Sequence, residues 1–205
     1  QPFMEKAHQV GDVELVKNIL KSDGKCLLAG FTSYGKTIIS LKSVIDLADE
    51  QGGGLIKITS PMTDTLDNVP LALKNIKFTD REIIYINKKN QDKYKTPKIK
   101  SLINQGKILI ACFSVQRVRL DNDGLKALKR FSDLKDFWIR DEKWTEYGGP
   151  KTQVALAKLE QGCKLLDLGA TVNKIKDDYL PSQIVSRDIF WAMKNRNVTD
   201  IPKLG

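Results

Sequence analysis

The chain is poor in the residues on which metal-dependent and secreted proteins rely. Among its 205 residues stands one histidine, His8, which leaves no multi-histidine metal site and argues against a Ser-His-Asp triad. Three cysteines, Cys26, Cys112 and Cys163, lie far apart in apolar segments, so they read as core fillers rather than disulfides or zinc ligands. No apolar run approaches the ~20 residues that cross a bilayer. The N-terminus lacks the short apolar stretch of a secretory signal, so a cytoplasmic protein is expected. No repeat or low-complexity tract is visible, which excludes solenoid and fibrous architectures. What is present is 41% hydrophobic and 29% charged residues, enough to bury a core within one domain over residues 1–205. Lys and Arg total 34 against 25 acids, and the net charge of +9 favours a polyanionic partner such as nucleic acid.

Short apolar runs alternate with amphipathic stretches along the chain. The runs predict strands near residues 26–29, 55–59, 82–86, 107–112, 136–139 and 164–168. The stretches predict helices near 13–21, 38–48, 63–74, 124–131, 152–161 and 182–194. Strands separated by helices, all in apolar context, imply an α/β fold with a mostly parallel sheet covered by helices on both faces. Ligands of such sheets sit beyond the carboxyl ends of the strands, so functional residues are sought just after each strand.

Gly30-Phe31-Thr32-Ser33-Tyr34-Gly35-Lys36-Thr37 fits G-x-x-x-x-G-K-[ST] in full, between an apolar strand and an amphipathic helix. Glycines let the backbone curl so that N–H groups point at phosphate oxygens, and the helix N-terminus adds its positive dipole. In that chemistry Lys36, read as an exposed loop lysine, reaches the β- and γ-phosphates, and the Thr37 hydroxyl takes a position on Mg²⁺. ATP and Mg²⁺ are thus the expected ligands. A phosphate loop that hydrolyses its nucleotide needs carboxylates at the end of another strand. Asp141-Glu142, after the run Phe137-Trp138-Ile139, fits: Asp141 for the metal, Glu142 for the attacking water. Asp167, after Leu165-Leu166, is the next candidate.

In this order the motifs resemble those of the first RecA-like domain of superfamily 2 helicases and translocases, particularly the motor subunits of type I and type III restriction enzymes. His8-Gln9 is similar to the glutamine motif, Gly30 to Thr37 to motif I, and Ile58-Thr59-Ser60-Pro61 with its following helix to motif Ia. Gly106 to Gln116 looks like the segment entering a Thr/Ser-x-Gln helix start, Asp141-Glu142 like motif II, and Leu168-Gly169-Ala170-Thr171 like motif III. Ser186 to Met193 and Val198 to Pro202 resemble the closing helix and exit strand. The resemblance implies adenine selection by Gln9 and nucleotide contacts from Gly30, Thr32, Ser33, Gly35, Lys36 and Thr37. It implies nucleic-acid contacts near Ser60, Pro61, Thr63, Ser114 and Gln116, and coupling through Ala170 and Thr171. The track it implies is duplex nucleic acid, DNA in preference to RNA. Motif II departs from the family pattern in reading Asp-Glu-Lys-Trp, and motif III in carrying Gly169 and Val172 where Ser or Thr and Pro are usual. Neither change removes a group that hydrolysis demands. Nothing resembling motifs IV to VI follows, so a second RecA-like domain, in the same or a partner chain, is expected to complete the motor.

Lys88 to Lys100 carries six lysines against one acid, Asp92, and reads either as a phosphate-binding stretch with Tyr94 as a stacking surface or as a solvated insertion. Trp138 reads as strand core, and Trp144, Arg117 and Arg119 stay open. Two other functions remain for the chain as a whole: a non-motor P-loop enzyme such as a small-molecule kinase, and a non-hydrolysing nucleic-acid-binding scaffold.

Overall fold

The computed structural model describes residues 7–30, 35–61, 63–114, 129, 131, 134–142, 149–170, 178–187 and 194. Helix α1 (Ala7–Asp23) leads into β1 (Lys25–Gly30), and α2 (Lys36–Glu50) into β2 (Gly54–Ser60). There follow α3 (Thr63–Asn75), β3 (Ile83–Ile86), α4 (Thr96–Asn104) and β4 (Ile108–Ser114). The second half supplies β5 (Phe137–Asp141), α5 (Pro150–Glu160), β6 (Lys164–Gly169) and the short β7 (Ile184–Arg187). The strands form one seven-stranded sheet in the order β3-β4-β2-β5-β6-β1-β7, and every recorded pairing is parallel.

Parallel strands buried on both faces send alternate side chains to opposite layers. On one face Cys26, Leu28, Ile56, Ile58, Ile110, Ile139 and Leu166 pack under α1, α2 and α3. On the other, Leu55, Leu109, Trp138 and Leu165 pack against Ile99 of α4 and Leu156 of α5. The three cysteines are buried and free, as their apolar context requires. Trp138 is strand core, its indole N–H donating to Thr59 Oγ1 at 3.0 Å.

One expectation is corrected here. Residues 184–187 are not the start of a helix but an edge strand, paired with β1 from Leu27↔Ile184 to Gly30↔Arg187. β-branched Ile184 and Val185 fit the pleat, and Arg187 ties the strand to α1 through Asp12, Nη2 to Oδ1 at 2.8 Å. Within the lysine-rich stretch, residues 96–104 form a true helix, started by Pro97 in its first turn and anchored by buried Ile99. Most of the helix expected near 124–131 and all of the exit strand at 198–202 lie outside the described residues.

The turn after α2 shows why Gly53 is glycine: its φ is 122°, and a Cβ would stand 2.8 Å from the Lys107 carbonyl oxygen. The glycine lets β2 start directly beside β4 and fixes the register that runs from Gly54↔Ile108 to Ser60↔Ser114.

Candidate nucleotide-binding site

The carboxyl ends of β1, β5 and β6 converge at one edge of the sheet, where the sequence concentrates its chemistry. Gly35 caps α2 in the left-handed conformation with φ 95°, which glycine adopts without a Cβ penalty. A Cβ there would also stand 2.4 Å from Gln9 Nε2, so the buried Gln9 side chain lies against the phosphate loop. The resemblance gave Gln9 a role toward adenine; its packing on Gly35 is a contact that spacing along the chain does not reveal.

Lys36 is half-buried rather than exposed, because its Nζ turns back and donates to the Gly30 carbonyl at 2.6 Å. Burial pushes its pKa down, and the nearby charges of Glu142 and Asp141 oppose that shift. The lysine of the loop and the two acids of the β5 end therefore share one electrostatic site, although more than a hundred residues separate them in sequence. Thr37 and Asp141 line a small crevice with Ser40 and Thr65, floored by Ile58, Ile139 and Leu168. Two hard oxygen donors fit Mg²⁺, which takes one or two protein oxygens and completes its shell with phosphate and water. No larger cluster of metal-ligating side chains exists among the described residues.

Asp141 is buried, and the Ser60 hydroxyl donates to its Oδ2 at 2.7 Å. Ser60 was expected at the nucleic-acid track, but its side chain is fully buried and serves the acid instead. The reason lies in the pleat and the strand order: β2 and β5 are neighbours, and both residues point to the α2 face. Glu142 has φ 49°, a left-handed conformation that costs an ordinary side chain about 1–2 kcal/mol. Such strain collects where a side chain must be aimed in a direction that the regular strand would not give.

Asp167, the alternative acid, is not available. Arg140 grips it with Nε on Oδ1 at 2.5 Å and Nη2 on Oδ2 at 2.7 Å, while Nη1 binds Glu160 of α5. This bridge lies on the face opposite the crevice, since Arg140 precedes Asp141 by one residue in the strand. Burial would lower the Arg140 pKa, but Asp167 and Glu160 outweigh it and hold the guanidinium charged.

Pro61 and Ser114 lie partly exposed at the ends of β2 and β4, and Ala170 lies exposed just after β6. Thr63 opens α3, its side chain outside the described set. Thr32, Ser33, Gln116, Thr171, Trp144, Arg117 and Arg119 lie outside the described residues.

Known structures carry the same arrangement of strands and helices. The nuclease-deleted Type ISP restriction-modification enzyme LlaGI, solved with a DNA substrate mimic, matches 82% of this chain with TM-score 0.56 and 17% identity. The Sulfolobus solfataricus SWI2/SNF2 ATPase core, solved with dsDNA, matches 88% with TM-score 0.55 and 17% identity. The Pyrococcus furiosus Hef helicase domain matches 89% with TM-score 0.53 and 16% identity. The fold is the RecA-like α/β fold that these ATPase and helicase domains share. The shared fold covers only part of each neighbour: the chain spans 18%, 35% and 37% of their respective lengths. No family model matches the chain, and no curated protein matches its sequence. No helix among the described residues is long and apolar enough to cross a membrane.

Proposed function

We propose that this chain is the ATP-binding motor domain of a helicase or translocase, in which ATP hydrolysis drives movement along nucleic acid, with double-stranded DNA as the track. One observation carries the reading: Thr37, next to Lys36 in the first turn of α2, lines one small cavity with the buried Asp141, and the charges of Asp141 and Glu142 act on Lys36. A cation and a carboxylate pair held together at the carboxyl edge of a parallel sheet, beside a helix N-terminus, form a site for a polyphosphate and its metal.

In this reading the loop glycines Gly30 and Gly35, with Thr32 and Ser33, cradle the phosphates. Lys36 leaves the Gly30 carbonyl for the β- and γ-oxygens, and Gln9, lying against Gly35, selects adenine. Thr37 and Asp141 would hold Mg²⁺, which would supply positive charge against the phosphate oxygens. Ser60 positions Asp141, and Glu142 takes a proton from the attacking water. Pro61, Thr63, Ser114 and Gln116 lie along the nucleic acid, and Ala170 and Thr171 couple the two sites. A second RecA-like domain, in the same or a partner chain, supplies an arginine worth ~10³ to 10⁵ in rate to P-loop enzymes. The two neighbours solved with DNA or its mimic and the net charge of +9 support DNA as the track.

Nucleotide affinity measured with and without Mg²⁺ tests the division of labour. Asp141→Asn should lose most of the Mg²⁺-dependent gain, because a neutral amide is a poor partner for a hard cation, whereas Glu142→Gln should keep it. Equal, unchanged Mg²⁺ dependence in both variants would overturn the site.

A further inference from the structure

The lysine-rich connection between β3 and α4 left two readings open, a solvated insertion or a phosphate-binding stretch. Its backbone argues against a passive loop. Asn90 Nδ2 donates to the Tyr85 carbonyl at 2.9 Å, and Asn90 Oδ1 accepts from the Asn87 N–H at 2.8 Å. Asn87 Oδ1 in turn accepts from the Lys89 N–H at 2.9 Å. A 3₁₀ turn over Gln91–Lys93 follows, with Gln91 buried beneath it, and Lys98 stands over the Tyr94 ring at 4.9 Å. Side-chain-to-backbone bonds at both asparagines fix the turn in one shape. Lys88, Lys89, Lys93, Lys95, Lys98 and Lys100 are all exposed on this scaffold.

Several basic residues at the opposite end of the sheet, by contrast, are held in ion pairs. There Arg81 binds Asp49, Lys17 and Lys21 bind Glu50, Lys107 binds Glu82 and Lys77 binds Asp80. Among the described residues no carboxylate lies within ion-pair distance of the exposed lysines of the connection. Holding several like charges close together on an ordered frame is unfavourable unless an anion comes to them. The register shows where that anion would run. β3 ends at Ile86, opposite Ala111, and β4 ends at Ser114, opposite Ser60, which holds Asp141. The lysines therefore flank the same carboxyl edge as the candidate nucleotide site, displaced toward the sheet's outer strand.

We infer that the β3–α4 connection is a phosphate-backbone clamp that grips nucleic acid beyond the end of the track at Ser114, with Lys88, Lys89, Lys93 and Lys95 as the gripping side chains. The inference rests on the motor reading and adds to it the surface that holds the track.

The test compares two variants of the 205-residue chain that lose the same amount of charge. One replaces Lys88, Lys89, Lys93 and Lys95 with Gln; the other replaces Lys21, Lys74, Lys77 and Lys158, which lie on exposed surface toward the amino end of the sheet. Binding of a fluorescent duplex DNA of mixed sequence is titrated across a salt series. The clamp variant should bind about tenfold or more weakly at low salt, and its log–log salt slope should flatten by about 2 to 4, near 0.9 for each phosphate no longer neutralised. The other variant should stay within about twofold of the parent, and ATP affinity should be the same in all three proteins. Equal weakening of both variants, or no change in the clamp variant while the parent binds DNA, overturns the clamp and leaves the motor reading standing. A parent that binds ATP but no duplex DNA at low salt overturns both.

Discussion

The two ends of this sheet are built on opposite electrostatic plans. At the amino end several charges are matched: Arg81 Nε donates to Asp49 at 2.6 Å, and Glu50 takes both Lys17 and Lys21. At the carboxyl end Lys36 is held where burial lowers its pKa, Asp141 is buried, Glu142 sits in a left-handed conformation, and the lysines after β3 have no carboxylate within ion-pair distance among the described residues. The difference teaches where the fold spends stability. Pairs at the amino end are locally satisfied, whereas a lysine with a lowered pKa, a left-handed glutamate and a row of like charges are each unfavourable alone, as the proposed binding of a polyanion and a cation would require.

Between the two ends lies the Arg140 bridge, and breaking it should have the largest effect on stability. Asp167→Ala leaves a buried guanidinium with Glu160 alone, and losing one partner of a buried pair costs about 3–5 kcal/mol. Chemical denaturation should show that loss; a change below 1 kcal/mol, roughly a surface pair's value, would mean that Arg140 is not held as described. Next in size is Lys36→Ala. Nucleotide affinity should fall by about a hundredfold or more, near 2.7 kcal/mol, as the loop loses the cation proposed to meet the phosphates. The unliganded melting temperature should hold or rise, because the variant removes a partly desolvated charge. The same shift sets a pH dependence. With its folded pKa below the unfolded one, Lys36 costs stability at neutral pH. The parent should therefore gain on the variant as pH climbs through the folded value toward the ordinary lysine range. A gap independent of pH would show that Lys36 is not desolvated.

Glu142→Gly sharpens the contrast further. Relieving a left-handed glutamate should stabilise the unliganded domain by up to about 1 kcal/mol while abolishing the proposed hydrolysis, since strain and chemistry reside in one residue. Loss of stability instead would show that the glutamate side chain contributes more than its backbone costs. The smallest effect belongs to the amino end: Arg81→Gln should cost at most about 1 kcal/mol, because both partners of its pair with Asp49 are over one-third exposed and screened by solvent. Its nucleotide affinity should match the parent's. A substantial change in that affinity would end the separation between the two ends.

Much of the molecule was legible along the chain because its signals are local. The apolar runs at Cys26 to Ala29 and Leu55 to Thr59 needed only the rule that strands buried on both faces are continuously hydrophobic, and both fall within strands. The run after Pro181 reads as a helix start because four residues of edge strand are too few to show a period, and only pairing with β1 decides between the two. The glycine-lysine-threonine signature and Asp141-Glu142 were equally visible, since each is a contiguous motif beside a strand. That Ser60 serves Asp141, that Gln9 rests on Gly35, and that Asp167 is consumed by Arg140 were not. These pairings depend on which strands are neighbours and which face each residue takes.

By itself the sequence determined the alternation of strands and helices, the parallel character of the sheet and the identity of the candidate phosphate loop and acidic pair. Those follow from hydrophobic period and from residues adjacent in the chain. Only the tertiary structure decided strand order, and with it which of two acids one strand apart faces Lys36 and which is locked in a bridge on the other side. Asp141 and Asp167 are both buried carboxylates on neighbouring strands. The pleat turns them to opposite faces, so one is left beside the loop while the other is neutralised by an arginine beneath the sheet.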